Sequence, residues 1–411
     1  MDVESSLLSY IDKNEMDIIN LAVELMRFRV ISPNAQYSEI IPFLERTYKK
    51  IRLEVKKVSA SREKVKSLGF SYPRQNILGL LRGSADKPVL ALFAHVDTVE
   101  VSDRELWHSD PLKPWLKDRK IYGLGAIDAR CSLAAAFFAA KAIVRCGVKL
   151  RGSVLLMGTV DDEVGSDGLD WPGTPYLVKE GHAASGWGLP DLVVNCESSG
   201  LDEIWGCFKG RFTFEVDILG RKAHAGTPYG INALDKAFRF VEAVRSMPLK
   251  EHPIMGKDVI YQFAMVAGED GHLDIPNKCH VGFDMRYVGG YDKDRARKYV
   301  LDTIEKMKKS DSDFRVGNLK IRRNLEPYEM GPNNKLVEAI RKSAEKVGIQ
   351  AKYEGKVSAG QVYPYLKRGI GGVTYGAGRI SRAHAIDEYI EFDELINQTK
   401  IYALLIKELC G

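Results

Sequence analysis

Three short, strongly apolar runs, Val89 to Val96, Val154 to Val160 and Leu192 to Cys196, carry or give way at once to ionisable side chains. The first holds His95, the second stops at Asp161-Asp162-Glu163, and the third stops at Glu197. Runs of this length and composition read as buried strands, and helical patterns lie between them, so the chain reads as an α/β protein. In open α/β sheets ligands gather outside the carboxyl ends of the strands. Polar groups repeatedly delivered to strand ends therefore point to one shared site.

The remaining elements follow from periodicity. Apolar residues at helical spacing predict an opening helix over Leu7 to Phe28 and a second over Glu39 to Ile51. A strand is expected over Asn76 to Leu81, and a helix over Ser132 to Val144 has a small-residue face suited to close packing on a sheet. From about Phe208 the order changes. Strand Arg211 to Leu219, helix Ile231 to Met247, strands Val259 to Ala267 and Cys279 to Tyr287, helix Asp292 to Lys308 and strand Phe314 to Ile321 give a βαββαβ order that resembles a ferredoxin-like insert. The α/β pattern then resumes with a helix over Asn333 to Val347, a strand over Gly372 to Tyr375 and a last helix over Phe392 to Leu409. A domain over 1–207 and 325–411, split by an insert over 208–324, is the expected organisation. A chain of 411 residues has the length for two cores.

Charge and cysteine content exclude several classes. The net charge of +5 is spread over 60 basic and 55 acidic residues, with no basic segment interleaved with aromatics, so no nucleic-acid partner is expected. The start Met1-Asp2-Val3-Glu4 has neither a basic nor an apolar leader region, and the best apolar run, Ser132 to Val144, is interrupted by Lys141. No membrane segment and a cytoplasmic location are the expectation. Six cysteines without a Cys-x-x-Cys pair read as reduced, mostly buried thiols.

Five residues, His95, Asp128, Glu163, Glu197 and His384, stand at or just past strand-like segments or in the turns that follow. Imidazole nitrogen and carboxylate oxygen suit borderline divalent metals, and two ions about 3.5 to 4 Å apart share a carboxylate and a water. Each motif alone has a plainer explanation. His95 and Asp97 fall on one side of a strand, so Asp97 could orient a metal-binding imidazole, although an isolated His-x-Asp pair is usually a packing feature. Asp128, after Gly123-Leu124-Gly125, reads more simply as a helix cap. Asp161-Asp162-Glu163-Val164-Gly165 could be a solvated turn, although three adjacent acids repel unless a cation relieves them. His384, after Gly376-Ala377-Gly378, is weak evidence for a metal by itself.

Together the segments resemble the M20 metallopeptidase family, which includes acetylornithine deacetylase, succinyl-diaminopimelate desuccinylase, aminoacylase and carboxypeptidases. The family signature runs His-x-Asp, Gly-x-Gly-x-x-Asp, Asp-Glu-Glu-x-Gly, a Glu after an apolar strand and His-x-x-x-Glu, and all five stations occur here in order. The resemblance implies a zinc-peptidase-like α/β catalytic domain with an inserted ferredoxin-like lid and dimerisation domain. It implies that His95 and Glu197 hold one ion, Glu163 and His384 the other, and Asp128 bridges them. Zinc is the expected metal, with cobalt or manganese able to substitute. Asp162 falls at the family's general base, where the family residue is glutamate, and loss of one methylene retracts the carboxylate by more than an ångström. His224, in Gly220-Arg221-Lys222-Ala223-His224, matches the lid segment and would stabilise the oxyanion in a neighbouring subunit's site, which makes a homodimer the expected assembly. Asn232 lies in the same lid match. Arg286, in Asp284-Met285-Arg286, is the candidate for gripping a substrate carboxylate, a structural ion pair being the alternative.

Other positions depart from the family pattern: Leu124 for an arginine, Leu273 for an asparagine, Ser358-Ala359-Gly360-Gln361 without its aspartate, and Arg130-Cys131-Ser132 for Lys-Gly-Gly. The resulting expectation is a two-metal amidohydrolase cleaving an amide or peptide bond of N-acyl amino acids or short peptides. A carboxypeptidase or dipeptidase is the alternative, and a non-hydrolytic amino-acid or peptide binding relative is the alternative from another class.

Overall fold

A computed structural model describes residues 2–164, 171–268, 274–289, 294–356 and 360–411. Leu273, Ser358, Ala359, Gly165 and the expected helix start at Asp292 lie outside the described residues. The chain divides into two compact units: Met1–Gly206 with Met330–Glu354 and Gly360–Gly411, and Cys207–Glu329 with Gly355–Ala359. The second unit thus runs on past Asn324 to Glu329 and takes in a short later segment.

The first unit is built on a mixed sheet of β1 (Glu54–Ser59), β2 (Gln75–Leu81), β3 (Val89–His95), β4 (Ser153–Thr159), β5 (Leu192–Asn195) and β6 (Gly371–Thr374). Their spatial order is β1-β2-β4-β3-β5-β6. β1 and β2 are antiparallel, as are β2 and β4, whereas β4, β3, β5 and β6 run parallel. Every residue of β4 is buried, and six of the seven in β3. Burial on both faces explains why these strands read as apolar runs without alternation.

Helix Arg130–Arg145 supplies a nearly continuous buried face, Leu133 to Ala140, and packs against helices Glu15–Met26 and Phe392–Cys410. Its alanines keep side-chain volume low, which allows close approach. The opening segment corrects the single expected helix. It forms two, Val3–Lys13 and Glu15–Met26, with a break at Asn14, whose side-chain amide donates to the Tyr10 carbonyl at 2.7 Å. That local bond offers the backbone an alternative to helix continuation.

The second unit contains strands Gly210–Leu219, Val259–Ala267, Lys278–Tyr287 and Arg315–Leu325, with helices Ala233–Arg245 and Arg295–Ser310. In chain order the strands lie second-third-first-fourth, all antiparallel. Phe212, Phe214, Phe240, Phe283 and Val300 anchor a core separate from that of the first unit. All six cysteines are free thiols, five buried. Among the described residues no helix is long and apolar enough to cross a membrane.

Candidate metal centre

The four parallel strands of the first unit end together, and each end carries or leads to a polar group of the site. His95 is the last residue of β3 and is fully buried. Asp161, Asp162 and Glu163 follow β4, Glu197 follows β5, and the turn after β6 leads to His384. That turn approaches Glu197 so closely that a Cβ on Gly376 would lie 2.6 Å from the Glu197 carbonyl oxygen. Asp128 comes from the loop before helix Arg130–Arg145. It does not cap that helix, whose N-terminal cap residue is Ala129 with no side-chain bond.

Asp128 stands between the two imidazoles. Its Oδ1 is 2.8 Å from Nε2 of His95 and its Oδ2 is 3.3 Å from Nε2 of His384. Nε2 of His384 is also 3.1 Å from Glu163 Oε1. Single ligand atoms of His95, Asp128 and Glu163 fall within 4.8 Å of one another, and so do those of His95, Asp162 and Glu197. The structure therefore brings His95, Asp128, Asp162, Glu163, Glu197 and His384 into one cluster.

Electrostatics show what the cluster lacks. Burial pushes Glu163 up to about 7 and, with the nearby charge of Asp162, holds Glu197 well above the usual carboxylate range. Burial also works against Asp128, yet hydrogen bonds from His384 and His95 keep its carboxyl below that range. Hydrogen bonds to Asp128 and Glu163 raise His384 to about 10. The pocket thus gathers more carboxylates than it can ionise comfortably unless positive charge is supplied.

These residues fit a divalent metal. Oε1 of Glu197 is buried and has no hydrogen-bond partner among the described residues. Nδ1 of His95 faces the Asp97 backbone carbonyl at 3.0 Å, an acceptor only, so Nδ1 carries the proton and Nε2 is the nitrogen left for an ion. The Asp97 carboxylate, read as the group that orients this imidazole, lies on the same side, its Oδ1 3.6 Å from Nδ1. That carboxylate also accepts from Ser32 Oγ at 2.6 Å and from the backbone N–H groups of Glu163 at 3.2 Å and Asp162 at 3.4 Å. It grips the acidic turn from below.

Asp161, the first acid of the turn, is turned away from the cluster. It adopts a φ of 59°, costly for a residue with a Cβ, and its carboxylate receives Arg74 Nε at 3.0 Å and Tyr37 Oη at 2.9 Å. Arg74 is fully buried and also donates to the carbonyls of Pro33, Ala35 and Tyr72. Held at both ends, the turn presents Asp162 and Glu163 on one side. Sequence reading missed Arg74, Tyr37 and Ser32, because a lone Arg, Tyr or Ser in a loop has no periodic signature.

The sequence departures and lid residues fall into place differently. Arg130 is fully buried, and its guanidinium donates to the carbonyls of Val96, Met26, Phe28 and Val30. It staples the end of β3 to the helix Glu15–Met26 rather than facing a substrate. Leu124 is likewise buried. In the second unit, Asn232 caps helix Ala233–Arg245, its Oδ1 accepting the Leu234 N–H at 2.9 Å. Arg286 is paired with Asp284 through Nε at 3.1 Å and Nη2 at 2.9 Å. Both residues read as substrate groups thus have local structural work. His224 is exposed, with Nδ1 accepting the Gly226 N–H at 3.1 Å.

An α/β unit whose parallel strand ends converge on two imidazoles and four carboxylates brings together the donors of a candidate divalent-metal centre. Residues 91–408 match peptidase family M20/M25/M40, and the chain belongs to that family of hydrolases acting on C–N bonds. N-formyl-4-amino-5-aminomethyl-2-methylpyrimidine deformylase of Bacillus subtilis is 25% identical, over 99% of this chain and 97% of its own. Among solved structures, a tripeptidase from Staphylococcus aureus superimposes with a TM-score of 0.76 at 20% identity, covering 96% of this chain and 98% of its own. A dinuclear metal-binding M20 peptidase of Bacillus subtilis gives 0.65 at 13%, covering 96% and 98%.

Proposed function

We propose that this chain is a two-metal amidohydrolase that removes the acyl group from N-acyl amino acids or related N-acyl amines. The observation that carries the reading is Asp128 lying between His95 and His384 with a carboxylate on either side. In this reading His95 and Glu197 hold one ion, Glu163 and His384 the other, and Asp128 both. Zinc suits the mixed nitrogen and oxygen donors, and cobalt or manganese can replace it. A pair of such ions supplies a water of lowered pKa and polarises the scissile carbonyl.

The chain's own residues do the rest. Asp162, 20% exposed and beside the cluster, accepts the proton of the attacking water and returns it to the departing nitrogen. The Asp97 carboxylate and the Arg74–Tyr37 grip hold the backbone that aims Asp162, which compensates for its short side chain. His224, exposed on the second unit, donates to the oxyanion in the site of a second copy. That role makes the second unit a ferredoxin-like lid and the enzyme a homodimer. Arg286 serves a substrate carboxylate only if it exchanges Asp284 for it.

The deformylase that matches nearly the whole chain supports the deacylase reading, whereas the tripeptidase of similar fold supports a second one, cleavage of short peptides. Free-amine release from N-formyl, N-acetyl and N-succinyl amino acids and from di- and tripeptides separates them. Zinc- and cobalt-loaded protein should release amine from the N-acyl series, with none from chelated protein. Faster release from peptides selects the peptidase reading, and none from either series overturns both.

A further inference from the structure

Asp128 and His384 are 256 positions apart in the chain, yet their side chains meet at 3.3 Å. Neither lies on a regular strand. Asp128 belongs to the loop 123–129, and His384 stands in the turn before strand Tyr389–Glu391 with a φ of 58°. Something must join the two segments firmly, and one side chain spans them.

Glu388 is 1% exposed and stands four residues after His384. Its Oε1 accepts the Ile127 N–H at 2.9 Å, one residue from Asp128, and its backbone carbonyl accepts the Gly123 N–H at 2.9 Å. Its other oxygen, Oε2, is buried and has no hydrogen-bond partner among the described residues. On the opposite side Ile127 rests on Gly378, where a Cβ would come within 2.5 Å of the isoleucine side chain. Gly378 has a φ of +83°, so its conformation too depends on the missing side chain. Beyond Glu388 the two segments continue as paired strands, Tyr389 opposite Tyr122 and Glu391 opposite Lys120. Ile127 is therefore clamped between the Gly378 backbone and the Glu388 carboxyl.

We infer that Glu388 is a positioning residue of the metal centre, fixing the separation of Asp128 from His384 and thereby the affinity of the ion those two residues share with Glu163. The inference rests on the two-ion reading. It does not require Glu388 to touch an ion. The ion held by His95 and Glu197 depends on it less, because those ligands are set by the ends of adjacent parallel strands. Burial pushes the Glu388 carboxyl up to about 8, against the pull of the Ile127 backbone N–H, and the bond to Ile127 needs only an acceptor oxygen. Glutamine, a neutral acceptor of the same shape, should then replace it.

Zinc titration of full-length protein against a competing chelator, with the absorption spectrum of the cobalt-loaded form, tests this. Wild type should hold two ions. Glu388→Ala should weaken one of them by about 10- to 100-fold, the range for groups that orient ligands, and leave the tighter ion within a few-fold. Its cobalt spectrum should change while the melting temperature of the chelated protein shows it folded. Glu388→Gln should restore both affinities. If Glu388→Ala fails to fold, Glu388→Asp, which retracts the carboxyl by one methylene, should show the same selective weakening. Two ions bound with unchanged affinity by these variants, equal weakening of both ions, or no rescue by glutamine overturns the inference. A wild-type chain that holds fewer than two ions overturns the two-ion reading itself.

Discussion

The two sides of the candidate centre are built by different means. His95 is locked at the end of a central strand, fully buried, and Glu197 follows the adjacent parallel strand, so the sheet itself sets their separation. His384 sits in an irregular turn with its side chain 44% exposed, and its place depends on contacts with Glu163, Asp128 and the clamp at Ile127. A ligand held by sheet geometry costs nothing further to orient, whereas a ligand on a loop needs supporting groups. The difference teaches that the inner ion should be the tighter and the outer one the adjustable one.

Removing one imidazole at a time breaks that comparison most sharply. His95→Ala leaves buried carboxylates without their shared nitrogen ligand, and amidase activity should fall by at least about 10³, the worth of several kcal/mol of charge stabilisation. Its zinc content should drop on both sides, because Asp128 and Glu197 lose the neighbour that fixes them. His384→Ala should lose chiefly one ion. Equal zinc loss in the two variants, measured by titration against a chelator, removes the distinction between the sides.

Asp162 gives the next effect. Asp162→Asn should lower kcat by about 10² to 10⁴ with zinc content unchanged, as expected for loss of a general base. Asp162→Glu should keep activity. If Asp162→Asn instead sheds zinc from the side of His95 and Glu197, the residue is a ligand rather than a base, which its place within 4.8 Å of that pair would allow.

The smallest effect is one of pH on the chelated protein. The hydrogen bonds to Asp128 and Glu163 raise His384 from 6.5 to about 10 in the folded state, so the folded form keeps its proton longer than the unfolded chain. The stabilisation is complete below pH 6.5 and disappears as pH rises through 10. The melting temperature of chelated protein should fall over that interval, and His384→Asn should flatten the fall. An unchanged slope in the variant shows that the outer imidazole is not held as described.

What the sequence revealed follows the same division. Buried parallel strands announce themselves as apolar runs, so the groups at their ends, His95, Glu163 and Glu197, were legible together with the order of the elements. Asp128 and His384 were legible only as candidates in turns next to strands, and their pairing into a ligand set came from the family resemblance, because turns carry no periodicity. The groups that hold the site, Arg74, Tyr37, Arg130 and Glu388, were not read as such, since their roles arise from hydrogen bonds between segments up to 261 residues apart. The break at Asn14 was hidden because apolar residues continue on either side of it. Asn232 and Arg286 are a different case: motif position pointed outward to substrate, and the structure adds a local partner to each, a helix cap and an ion pair.

The most direct measurement is anomalous scattering at the zinc edge from crystals of zinc-loaded protein. The account requires two peaks about 3.5 to 4 Å apart with the Asp128 carboxylate between them, one beside His95 and Glu197 and one beside Glu163 and His384. A single peak, or peaks away from Asp128, would contradict it.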